Sequence, residues 1–190
     1  MYRVIKGMFY TFILFLVFTG CKNYEDTEGI SLNSYFLDNQ EAVNFIARDM
    51  PVSMLKVNDS QFTEAEKEVF ASVKHLNFLG FKVDGSNTEA YKVELAKVKR
   101  ILKGKSYSKL MEFSDKGHKI IVKYKGHFNK TDELVVLGSE KQTGFGIVRV
   151  LGSDMNLVKL GSLAKTLQET DIDENQFEDI IAFFEGTFRI

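Results

Sequence analysis

The chain is poor in the residues that mark many functional classes. Its 190 residues hold one cysteine and three histidines. One cysteine excludes a disulfide framework within the chain and any zinc site built from cysteines. Charge of neither sign dominates: 25 Lys and Arg stand against 26 Asp and Glu, a formal net of −1. Nucleic-acid-binding domains usually carry a basic excess, so this balance argues against a polyanion partner. No apolar run reaches the ~20 residues that a membrane-spanning helix needs. Core-forming residues, by contrast, are plentiful. Hydrophobic residues make up 44% and aromatics 13% of the chain, too rich for a disordered polypeptide. The length suits one domain, and there is no internal repeat or low-complexity segment.

The first twenty residues differ from the rest. Arg3 and Lys6 precede the apolar run from Met8 to Phe18, and no acidic residue occurs before Glu25. A run of about eleven residues is too short to span a bilayer and suits the apolar core of a signal peptide. Phe18-Thr19-Gly20-Cys21 then places small residues before the sole cysteine. This segment resembles a bacterial lipobox, with Phe18 in the position usually held by leucine. The resemblance implies cleavage before Cys21, a diacylglycerol thioether on its sulfur and acylation of the new amino terminus. Two or more acyl chains give a stable anchor where one is marginal. Lipidation of Cys21 also leaves no thiol for catalysis. Residues 21–37 are expected to form the lipidated cysteine and a flexible tether, with one α+β domain over residues 38–190. Lys22 with Glu25 and Asp26 resembles, with the acids set further from the lysine, signals that send some lipoproteins to the cell surface. The expected location is the cell envelope, on the outer membrane.

From Asp38 onward the pattern alternates. Asp38 and Glu41 predict a capped helix with Val43, Ile46 and Met50 on one face, ended by Pro51. Val52 to Val57 reads as a short strand. Thr63 and Glu66 predict a second capping box, with Phe62, Ala65, Val69, Val73 and Leu76 at helical spacing. Phe78 to Val83 reads as a strand with a bulge at Gly80. Ser86 and Glu89 open a third helix carrying Tyr91, Leu95, Val98 and Leu102 inward, stopped by Gly104. Four strands follow at hairpin spacing: Tyr107–Ser114, His118–Lys125, Glu133–Leu137 and Phe145–Leu151. Asn156 begins a helix with Leu157, Leu160, Leu163 and Leu167 in register, and Asp173 and Gln176 cap a last one bearing Phe177, Ile180, Ile181 and Phe184. The order predicts an α+β fold, a mostly antiparallel sheet with helices packed on one face.

Tyr107-Ser108-Lys109-Leu110-Met111, Glu133-Leu134-Val135-Val136-Leu137, and Gly152 leading into Leu157, Leu160 and Leu163 resemble the domain of unknown function 4252 family of small Bacteroidota lipoproteins. The resemblance runs from about Val52 to Leu167. It rests on packing positions, so it implies a fold, and it brings no catalytic residues.

Motifs that carry chemistry are sparse. His75, His118 and His127 form neither an H-E-x-x-H pair nor an i, i+4 pair, so no metal site is expected. Gly144-Phe145-Gly146 lacks a third glycine and sits on a strand, which fits a turn better than a dinucleotide site. Ser139, Ser153 and Ser162 lie in no nucleophile elbow. Lys119, Lys123 and Lys125 form a basic strip that either meets an anionic surface or stands as a solvated face. No cofactor is expected. The expected function is a non-enzymatic lipoprotein, anchored through Cys21, that meets an envelope protein or acts as an accessory subunit. The alternative is a lipoprotein that holds a small apolar ligand between sheet and helices. Clustered carboxylates or a Ser/His cleft would instead mark an envelope hydrolase.

Overall fold

The structure is a computed structural model that describes residues 29–168. The expected lipobox, Phe18, Thr19, Gly20 and Cys21, and the helix expected after Asp171 lie outside the described residues. Within them, α1 spans Leu32–Asn39, β1 Phe45–Pro51, α2 Glu64–Ser72, β2 Val73–Lys82, α3 Thr88–Lys103, β3 Ser108–Asp115, β4 His118–His127, β5 Lys130–Glu140, β6 Gly144–Met155 and α4 Leu157–Gln168. Six antiparallel strands form one sheet in the order β1-β2-β6-β5-β4-β3. The four strands from β3 to β6 are the predicted meander, each paired with its neighbour in sequence. Lys116 and Gly117 both take positive φ between β3 and β4, the geometry that closes a tight hairpin.

Side chains alternate across a strand, so adjacent residues serve opposite faces. Leu79 and Phe81 of β2, Phe145 and Ile147 of β6, and Val135 and Leu137 of β5 share one face. There they meet Leu32, Tyr35 and Phe36 of α1 and the Tyr91, Leu95, Val98 and Leu102 stripe of α3 in the main core. That stripe is the one the helical spacing predicts. Leu76, Val150 and Leu134 point to the opposite face, where α2 and α4 pack with one another around Phe62, Val69 and Leu163. The α+β class and the antiparallel sheet stand as expected. The helices, however, are shared between both faces instead of gathered on one. Runs such as Leu134-Val135-Val136-Leu137, apolar without alternation, need cover on both sides.

Three elements differ from expectation. The tether expected to reach residue 37 gives way to structure by Leu32: Ser31 Oγ accepts the Ser34 N–H at 3.0 Å as the α1 cap, and Leu32 and Tyr35 are buried. The helix expected from Asp38 to Met50 is instead the end of α1 and strand β1. Phe45 and Ala47, two residues apart, pack on the main core, while Val43, expected to face inward, is 99% exposed. Pro51, which has no N–H to donate, ends this edge strand. The Val52–Val57 strand is a 3-10 turn over Val52–Met54 followed by an isolated bridge at Val57.

The capping box at Thr63 and Glu66 forms as expected, but α2 stops at Ser72 and β2 begins at the next residue. Val73 and Leu76, read as helical, therefore belong to β2. Gly80 keeps regular register with Ile46 and Gly146. The bulge lies instead between Val73 and His75, where the chain leaves a helix for a strand with no loop to absorb the change.

Candidate functional site

The most distinctive feature among the described residues is an apolar cavity of about 320 Å³ between the sheet and the α2–α4 pair. Its floor is built by Leu76, Val150 and Leu134, which are cross-strand partners at one register of β2, β6 and β5. Its roof is α4, which contributes Leu157, Leu160, Gly161, Leu163, Ala164 and Leu167. Val52, Leu55 and Val57 close one side, Phe70 and Val73 another, and Leu110 of β3 completes the lining. No lining side chain carries a charge or a hydrogen-bonding group. Such a space cannot hold water well, because water needs two to four polar partners. It suits hydrocarbon.

The start of α4 is fixed locally. Asn156 Oδ1 accepts the backbone N–H groups of Val158 and Lys159 at 3.0 and 3.1 Å. The roof is then clamped to α2 by one buried carboxylate. Glu66 Oε2 accepts the Thr63 N–H and hydroxyl at 2.8 Å each, and its Oε1 accepts Ser162 Oγ at 3.0 Å and Thr166 Oγ1 at 2.7 Å. The Thr166 hydroxyl, then the Thr63 groups, hold the Glu66 carboxyl down at about 2, against the penalty of burial. Lys159 and Glu68 add an exposed ion pair between the same helices. The spacing of Leu157, Leu160, Leu163 and Leu167 reveals the apolar face of α4. The clamp is missed from sequence, although Ser162 and Thr166, one turn apart, are its signal.

The other expected groups are placed apart from the cavity. His75 Nδ1 lies 3.2 Å from Asp49 Oδ1 at an exposed position, while His118 and His127 stand at opposite ends of β4. Among the described residues no group of three or more His, Cys, Asp or Glu could hold a metal ion. Gly144, Phe145 and Gly146 begin β6. Ser139 lies on β5, Ser153 accepts Lys74 Nζ at 2.8 Å, and Ser162 serves the clamp. Lys119, Lys123 and Lys125 do share one side of β4, as a period of two requires, and it is the side of α1 and α3. Their charge is partly matched: Lys119 Nζ lies 2.6 Å from Glu112 Oε1, and Lys125 stands opposite Glu133. Burial, followed by the charges of Lys119 and Lys103, lowers the pKa of Lys99 on α3.

The model of a domain of unknown function, DUF4252, matches residues 35–163. The chain belongs to the DUF4252 family. The DUF4252 match begins inside α1 and ends inside α4, so it takes in the whole sheet and all of the cavity lining except Ala164 and Leu167, and it starts earlier than the resemblance read from Val52. Neither the curated proteins nor the solved structures give a match. Among the described residues no helix is long and apolar enough to cross a membrane.

Proposed function

We propose that this DUF4252 chain is a non-enzymatic binding module of the bacterial envelope, anchored by lipid on Cys21, that holds a small apolar ligand under α4. The observation that carries this reading is the cavity itself: 320 Å³ lined without one polar side chain. That volume lies at the lower end of the range for small-molecule sites, which are mostly apolar clefts between packed layers. The lipobox supports the anchor, because a lipidated Cys21 keeps the body beside a bilayer, where apolar ligands concentrate. The outer membrane is the proposed location.

The test is organic extraction of the full chain, captured in nanodiscs and read by mass spectrometry. A small apolar compound enriched over bulk lipid, and lost from Ala164→Phe, is expected. An extract identical for the two proteins overturns the reading.

A second reading, contact with an envelope protein, is favoured by β3. This edge strand is exposed along its whole length, and it presents Leu110, Met111 and Phe113 to solvent. Exposed apolar edge strands are natural docking templates. In-cell cross-linking of wild type against Met111→Lys/Phe113→Lys tests it. One dominant cross-linked partner that disappears in the variant is expected; the same pattern from both proteins rejects it.

A further inference from the structure

The cavity takes up only one end of the sheet face that α2 and α4 share. Four residues further along the strands from Leu76, Val150 and Leu134, about 13 Å away, that face loses its side chains. Gly80 of β2, Gly146 of β6 and Gly138 of β5 are cross-strand partners at one register. Ile46 of β1 and Ile120 of β4 close the two ends of the row. The residues flanking these glycines, Leu79, Phe81, Phe145, Ile147 and Leu137, all pack in the main core, so the glycines open on the opposite face. Between them and the cavity runs an apolar row of Phe78, Val148, Val136 and Val122.

Glycine weakens a strand interior and marks a place where another backbone comes close. Three at one register make a trough across the sheet. The trough is covered: all three glycines are buried, and Phe78 beside them is 1% exposed. Among the described residues, α1 and α3 lie on the far side, while α2 and α4 line the cavity over the Leu76 register. A helix with its side chains is about 10–12 Å across, so a further helix fits beside α4 over the glycines.

The sequence after α4 has the matching form. Phe177, Ile180, Ile181 and Phe184 recur at helical spacing behind a capping Asp173. Residues 169–172 are the length of link that joins two antiparallel helices. The stretch from Asp173 to Phe184 makes about 18 Å of helix, and the row from Ile46 to Ile120 crosses four strand spacings, about 19 Å. Charge agrees as well. Residues 29–168 carry 21 Lys and Arg against 16 Asp and Glu, a net of +5, whereas residues 169–190 carry one Arg against seven Asp and Glu, a net of −6. Opposite net charges draw the segment to the body. A short link also favours the chain's own body over a second copy, because it holds the segment at an effective concentration on the order of millimolar.

We infer that residues 173–184 form a helix that returns antiparallel beside α4 and seats Phe177, Ile180, Ile181 and Phe184 in the trough over Gly80, Gly146 and Gly138. The glycine row is then a docking groove for the chain's own C-terminal segment. This goes beyond the ligand reading, and neither depends on the other.

Photo-cross-linking of the full chain in phospholipid nanodiscs tests it, with p-benzoylphenylalanine in place of Phe177 or Phe184 and, as a control, of Asp179. Residues two apart on a helix do not share a side. The Phe177 and Phe184 probes are expected to label the strand peptides that hold Gly80, Gly138 or Gly146, and the Asp179 probe to leave them unlabelled. Mixing isotopically light and heavy chains shows whether a link lies within one chain or joins two. Links between copies, links to α1 or α3, or label in lipid alone overturn the inference. Should the probe variants not fold, nuclear Overhauser contacts in the unsubstituted chain decide. Ile180 and Ile181 methyl protons close to the Hα protons of the three glycines are expected, and their absence overturns the inference. Organic extraction still reports on the cavity by itself, whichever result is found.

Discussion

Arg149 Nε lies 2.6 Å from Glu133 Oε1, and the two side chains are only 5% and 7% exposed. They face each other from adjacent strands on the α1 side of the sheet. The remaining acceptor of Glu133, Oε2, takes the Tyr107 hydroxyl at 3.1 Å, and burial followed by the Glu133 charge raises the Tyr107 pKa. Arg149 reaches on to Asn33 Oδ1 at 3.4 Å, and its guanidinium carbon sits 4.9 Å from the centre of the Phe36 ring. Both Asn33 and Phe36 belong to α1, so the pair pins that helix to the sheet.

Removing one partner of a buried pair strands the other charge, which costs about 3–5 kcal/mol. Glu133→Leu is expected to lose stability on that scale in urea unfolding. Replacing both residues by leucine should recover part of the loss, because no unpaired charge remains. A double variant whose loss equals the sum of the two single losses would show that the pair is not coupled.

The Glu66 clamp gives a pH dependence with a defined sign. Its carboxyl titrates at about 2 in the folded chain against its ordinary 4.5. A depressed pKa means stability that is present above about 4.5 and is lost as pH falls from there towards 2. Thermal unfolding of wild type and Glu66→Gln should therefore differ near neutrality and converge by pH 2. Parallel curves over the whole range would mean that the carboxylate's charge does not hold α4 to α2.

The contrast between these two carboxylates shows what a sequence makes legible. Glu66 stands three residues after Thr63, and that local spacing reveals its capping role. Its second duty, accepting from Ser162 and Thr166, spans about a hundred residues, and no local pattern reports it. Glu133 and Arg149 look like ordinary strand residues until register places them side by side. The strands of the meander are readable because their turns and alternation are local. The β1 strand is misread because Val43, Ile46 and Met50 happen to fall at helical spacing, while the pairing with β2 that decides the matter is remote. For the cavity, the leucines of α4 are visible in the sequence, but the floor comes from three strands that only the register unites.

Lipidation of Cys21 is tested directly by metabolic labelling with an alkyne fatty acid. Wild type should incorporate label and partition with the outer membrane, whereas Cys21→Ala should do neither. Stable anchoring needs at least two acyl chains, so a label equal in both proteins would place the lipid elsewhere and remove Cys21 as the anchor.

Two glycines should respond to alanine with opposite signs. Gly144 opens β6 with a φ of +137°, and a Cβ there would run into the Phe81 carbonyl oxygen of the neighbouring strand. Gly144→Ala therefore combines backbone strain of about 1–3 kcal/mol with a clash that displaces β2. Gly161 has helical neighbours and open space where its Cβ would lie, so Gly161→Ala should gain about 0.5–1 kcal/mol from the helix alone. Thermal unfolding reads both: a lower Tm for Gly144→Ala and a higher one for Gly161→Ala are expected. A gain at Gly161 means that this glycine costs the fold stability without serving its packing. A loss there would mean that α4 packs more tightly on the sheet than the open space around Gly161 implies.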